Sequence, residues 1–207
     1  MSLLAAAGAI TNPVASTTVY VEEDFTATTT GDLTTSNLVV DELGGGWLGH
    51  NSLFSYQTDG SGVQCTSTSG NRVTVVETDG REDVRVTGTF VAARTGALGR
   101  WQGFCLRSPG VIRANSLYVM LNGATSDADL HLRDDQTLIK AWDLSVLLGV
   151  NVAAGDRLVI VVDCSGNDIT LVSIDRNGAG ATAINDTYTL TGGTATDHGA
   201  GSGADRY

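Results

Sequence analysis

Apolar and polar residues alternate with a period of two along most of this chain, and the alternation is clearest from Asp156 to Asn177. There Leu158-Val159-Ile160-Val161-Val162 and Ile169-Thr170-Leu171-Val172-Ser173-Ile174 flank the turn Ser165-Gly166-Asn167. Two β-branched runs around a short polar turn predict a hairpin. The first run is apolar on both faces, which predicts a strand deep in a two-layer structure. The second is apolar at Ile169, Leu171, Val172 and Ile174, so it too is expected to be largely buried.

The rest of the chain reads as strands added to this hairpin. Strands are predicted at 17–25, 53–57, 62–66, 72–78, 83–93, 100–107, 116–122, 127–133, 137–142 and 182–190. Val84, Val86, Phe90 and Ala92 share one face, and Gly88 among them signals a bulge or a close approach. Phe104 and Leu106 point inward with Trp101 on the other face. Leu117, Val119 and Leu121 oppose Tyr118 and Met120, while Leu130 and Leu132 point in and Asp129, His131 and Arg133 out. Asp79-Gly80, Asn122-Gly123 and Asp134-Asp135 supply turns. Asp143–Val150 is the one plausible helical turn, too short to be more than a connector. The segment 26–46 is polar and Gly-rich, and Gly44-Gly45-Gly46 would let Trp47 insert into an open end of the sandwich. Many short strands with regular turn signals predict an all-β antiparallel two-sheet sandwich or jelly roll. No solenoid or propeller period and no internal linker are present, so one domain is expected over 17–190. An N-terminal arm at 1–16 and a Gly-rich tail at 191–207, read as a loop or extended arm, flank it.

Composition changes this picture in two respects. A net charge of −11, with one lysine (Lys140) beside eleven arginines, argues against binding a phosphate backbone. The acidity suits solubility or a basic partner surface. Cys65, Cys105 and Cys164 are widely spaced and odd in number, which fits small buried hydrophobes in a reducing site of synthesis better than a disulfide framework or zinc. No apolar run reaches the ~20 residues of a membrane helix. Met1–Ala7 has the apolar middle of a signal peptide without its basic start. Read otherwise, it is a loose terminus, or an arm whose Leu3, Leu4 and Ile10 dock on a neighbouring subunit.

Two stretches carry a family resemblance: Asp24-Phe25 followed by Gly44-Gly45-Gly46-Trp47, and Gly155–Asp163 continued through Asn167–Leu171 to the turn Asp175-Arg176-Asn177-Gly178. They resemble the concanavalin A-like lectin/glucanase jelly roll, including laminin-G-like domains, of the kind found in tailed-bacteriophage virion proteins, over about 19–190. The resemblance implies a jelly-roll fold and, in many members, glycan binding. The laminarinase-like enzymes of this fold carry a Glu-x-Asp-x-x-Glu strand that sets two carboxylates about the scissile bond. This chain has none; Glu22-Glu23-Asp24 has the wrong spacing and reads as a solvated edge.

The remaining candidates are weak. Trp101, Tyr118, His131 and Trp142 could share a concave face and stack on sugar rings, although aromatics in a sandwich are more often core or interface. Asp127, Asp129 and His131 alternate on one strand face, yet a strand alone gives poor Ca²⁺ geometry. His50 and His198 fall in predicted loops with no partner in view. No Gly-x-Ser-x-Gly elbow exists, and the Asn185-Asp186-Thr187 sequon reads as incidental.

The function expected from all this is a non-enzymatic structural protein of a tailed-phage virion, made in the host cytoplasm. It would be a capsid decoration or a tail or fibre module, without cofactor. Its expected partners are other virion proteins (the major capsid or tail protein) and copies of itself, with no nucleic acid and no membrane. A carbohydrate-binding module is the alternative, and a glycan hydrolase or lyase the third reading.

Overall fold

The computed structural model describes residues 47–49, 74–76, 83–92, 101–107, 116–122, 129–135 and 137–198. The described strands are β1 (Trp47–Gly49), β2 (Thr74–Val76), β3 (Val84–Val91), β4 (Trp101–Arg107), β5 (Leu117–Asn122), β6 (Asp129–Asp134), β7 (Thr137–Asp143), β8 (Arg157–Ser165), β9 (Asp168–Arg176) and β10 (Ala181–Thr189), with helices α1 (Leu144–Leu148) and α2 (Gly192–His198). β1 and β2 form a small antiparallel pair; the others form two four-stranded antiparallel sheets, ordered β10-β9-β8-β3 and β4-β5-β6-β7. Side chains of both sheets join one hydrophobic cluster. The protein is therefore an all-β two-sheet sandwich.

The β8–β9 hairpin lies where the alternation put it. Leu158, Ile160, Val162 and Cys164 are buried on one face of β8, while Val159, Val161 and Asp163 are half-buried on the other. The strand is thus buried on one face and half-buried on the other, although β8 is central in its sheet. In β9 both Leu171 and Ile174 are buried, three positions apart. Strict alternation forbids that; a register shift between Val161 and Val162 leaves Val172 as the extra residue and turns the strand by one position. Gly166 takes φ +55 at the first position of the two-residue turn before Asn167, the position that favours glycine in such hairpins.

Close packing, not a bulge, explains Gly88. β3 pairs continuously with β8 through it, and a Cβ there would lie 2.5 Å from a Phe104 ring carbon. Phe104 stacks on Phe90 across the sandwich, with ring centroids 5.7 Å apart. This contact sets β3 over β4. At the opposite side Trp142 of β7 donates to Asp186 of β10 at 2.9 Å, and Lys140 reaches the same carboxylate oxygen at 3.1 Å.

The helices close the two ends. Asp143 caps α1: its Oδ1 accepts from the amides of Ser145 and Val146 at 2.9 and 3.1 Å and from the Ser145 hydroxyl at 2.6 Å, and Gly149 ends the helix at φ +66. Those bonds, the Ser145 hydroxyl first, hold the Asp143 carboxyl below the usual carboxylate range. α2 is a correction to the sequence reading. Residues 192–198, expected as loop or extended arm, form a second helix, and His198 at its end is fully buried. Its composition, Gly-Gly-Thr-Ala-Thr-Asp-His, has little helix propensity, so tertiary contacts override local preference.

Candidate functional site

The β4–β7 sheet collects most of the residues singled out from the sequence. Its core face carries Leu117, Val119, Leu121, Leu130, Leu132 and Trp142. In the outer rows Cys105 pairs with Tyr118 and Tyr118 with Arg133, while Met120 pairs with His131 and His131 with Ala141. Trp101 stands opposite Asn122, which in turn stands opposite Asp129.

The four glycan candidates are therefore not brought to one face. Trp142 pairs with Leu130, belongs to the core and is 2 % exposed, its indole nitrogen committed to Asp186. Tyr118 and His131 do share the outer face, but they are 6 % and 7 % exposed, and the Tyr118 hydroxyl donates to the backbone carbonyl of Asp135. His131 was expected to point out to solvent; it occupies the outward register position and is nevertheless buried. Period alone reports which face a side chain takes, not whether that face is covered.

Burial also decides the charge of His131. It lowers the imidazole pKa, outweighing the opposing pull of Asp129, whose Oδ2 lies 3.6 Å from Nε2, and Arg133 pushes the same way as burial. His131 is thus neutral at pH 7. Of the metal candidates, Asp127 lies outside the described residues. Asp129 leans on His131, and the Asp143 carboxylate that faces Asp129 across the ladder is turned to the α1 amides. Among the described residues no group of three or more His, Cys, Asp or Glu could hold a metal ion. The arm residues Leu3, Leu4 and Ile10, and Glu22-Glu23-Asp24, also lie outside the described residues.

Among the described residues, a buried polar cluster has no signal in the sequence. Arg107 of β4 and His198 of α2 are 1 % and 0 % exposed. The Arg107 guanidinium donates to the His198 backbone carbonyl. The His198 ring Nε2 lies 3.1 Å from Asp134 Oδ1, and the Thr194 hydroxyl donates to Asp134 Oδ2 at 3.3 Å. Arg107 comes inward because the β4–β5 register shifts between Cys105 and Arg107, so that Leu106 and Arg107 are buried in succession. The sequence places His198 in a loop with no partner in view; in the fold it ends α2 and its partner is Asp134. No local sequence signal announces either event, since a bulge and a docked helix of poor propensity both depend on distant contacts.

A second polar node sits at the other end of the sandwich. The Asp156 carboxylate accepts from the Ala153 amide at 2.6 Å, from Arg176 Nε at 2.8 Å and from Asn177 Nδ2 at 2.8 Å. The Arg176 bond first, then those from Ala153 and Asn177, hold its pKa down to about 2.

Cys105 is half-buried and Cys164 buried, as expected of small hydrophobes. Among the described residues no helix is long and apolar enough to cross a membrane. Comparison with family models, with curated proteins and with solved structures found no match to this chain.

Proposed function

We propose that this chain is a non-enzymatic structural component of a tailed-bacteriophage virion, a capsid decoration or a tail- or fibre-associated module that works by protein–protein assembly. One observation supports the non-enzymatic part most: four described polar side chains that could do chemistry are buried or engaged in holding the sandwich together. Asp156 ties down two turns, Asp134 grips α2, Asp186 bridges the sheets, and the neutral imidazole of His131 is buried. The assembly part draws on the rigid two-sheet body and on the apolar side chains it leaves in solvent, Val146 at 74 % and Val91 at 56 % exposure. The virion setting draws on the resemblance of the Asp24–Trp47 and Gly155–Gly178 stretches to phage lectin-like domains.

Deletion of Met1–Pro13 tests the arm. The shortened chain should fold and fail to enter particles; unchanged incorporation would refute the arm. Carbohydrate binding is the second reading, favoured by the position of Trp101 in β4, in the sheet whose outer face carries Tyr118 and His131. A glycan array without hits would remove it.

A further inference from the structure

We propose that α2 is an exchangeable strap, seated on its own sandwich in the single chain and able to seat in the same socket of a second copy. The proposal stands on the contacts of α2 and not on the virion reading, since purified chain alone tests it.

Three observations carry it. First, α2 has seven residues, among them two glycines and two threonines, and cannot hold a helix by itself. Its order comes from docking. Second, the docking is directed and polar. Arg107 and Asp134 form the socket, which takes the His198 carbonyl, the His198 ring and the Thr194 hydroxyl. Its single apolar side chain, Ala195, packs against the core. Undocking the strap therefore opens the bonds of two charged groups, Arg107 and Asp134, to water. Third, a hinge lies directly ahead. Leu190 is anchored, 2 % exposed, with its amide on the Asn167 carbonyl at 2.8 Å. Gly192 then takes φ +59, and a Cβ on Gly192 or Gly193 would meet nothing within 4 Å. The left-handed turn at this hinge returns the strap to its own socket. A second copy's strap offers that socket the same bonds, so exchange trades identical contacts, and two straps crossing reciprocally make a closed two-fold pair.

The test is Gly192→Val in the full chain, followed by sedimentation over a range of concentrations. A β-branched side chain strains the left-handed hinge of the closed form and leaves an extended, crossed hinge unstrained, so the dimer association constant should rise about tenfold over the unsubstituted chain. Adding His198→Ala, which removes the ring that grips Asp134, should return the protein to monomer. Arg107→Ala should do the same from the socket side. A Gly192→Val chain that stays monomeric overturns the proposal, whether its strap is docked or loose. So does a dimer that survives His198→Ala undiminished.

Discussion

The side-chain amide of Asn177 donates to the carboxylate of Asp156 at 2.8 Å, twenty-one positions away in sequence. β8 leaves from Asp156 and β9 returns at Asn177, so this bond closes the open end of the hairpin on itself. Arg157 N donates to Asn177 Oδ1 and Asn177 N to the Arg157 carbonyl, each at 2.8 Å. The Ala92 amide reaches the Asp156 carbonyl at 2.8 Å, which ties the end of β3 to the same node. Asn177 and Gly178 both take positive φ, at 60° and 73°, as the turn toward β10 requires.

The node makes acid stability depend on one carboxylate. Asp156 has a folded pKa of about 2, below the unfolded value of about 3.9. Its contribution is therefore complete above pH ~4 and is lost as pH falls through about 2. The shift corresponds to at most about 2–3 kcal/mol, nearer 1 once screening at the partly exposed Arg176 is allowed for. Asp156→Asn should lower stability by about that much at pH 7, roughly 2–4 °C in Tm, and by almost nothing at pH 2. Thermal unfolding of both proteins across pH 2–7 measures it, and a gap that persists at pH 2 would mean the node acts through shape rather than charge.

Two glycines should differ in their tolerance of alanine. A Cβ on Gly103 would lie 2.2 Å from the Val119 carbonyl oxygen, whereas one on Gly88 meets Phe104 and Phe90 ring carbons at 2.5–2.9 Å. Backbone of a paired strand cannot step aside, but an aromatic ring can tilt. Gly88→Ala should cost about 1–3 kcal/mol, and Gly103→Ala more. Urea unfolding of the two variants ranks them; equal losses would contradict the difference in what they strike.

Trp142 is a core residue, so its removal should be felt as stability. Trp142→Ala should cost about 3–5 kcal/mol, and Trp142→Phe, which keeps the ring bulk and loses the bond to Asp186, about 1 kcal/mol. Chemical denaturation separates the two. A Trp142→Ala chain of unchanged stability would return this indole to the surface.

What could be read from residues alone was the part governed by local rules. β8, β9 and the Gly166 turn follow from alternation and turn chemistry, and α1 falls within the helical turn expected over Asp143–Val150. What could not be read is set by contacts between distant segments. Val172 and Leu106 break their strands' alternation through bulges, and each bulge moves a neighbour, Ile174 or Arg107, to the buried side. α2 forms where propensity opposes it because Arg107 and Asp134 wait across the fold. The sugar-stacking set failed to assemble for a simpler reason: Trp142 falls on the core side of β7, opposite Leu130, while Tyr118 and His131 fall on the outer side of β5 and β6.

Electron cryomicroscopy of phage particles purified from cells that make this chain tests the proposed virion role most directly. If the proposal holds, particles show a two-sheet body in repeated copies at fixed positions on the capsid or tail, contacting neighbouring subunits. Particles that form fully without the chain, with the protein recovered only from the host lysate, would contradict it.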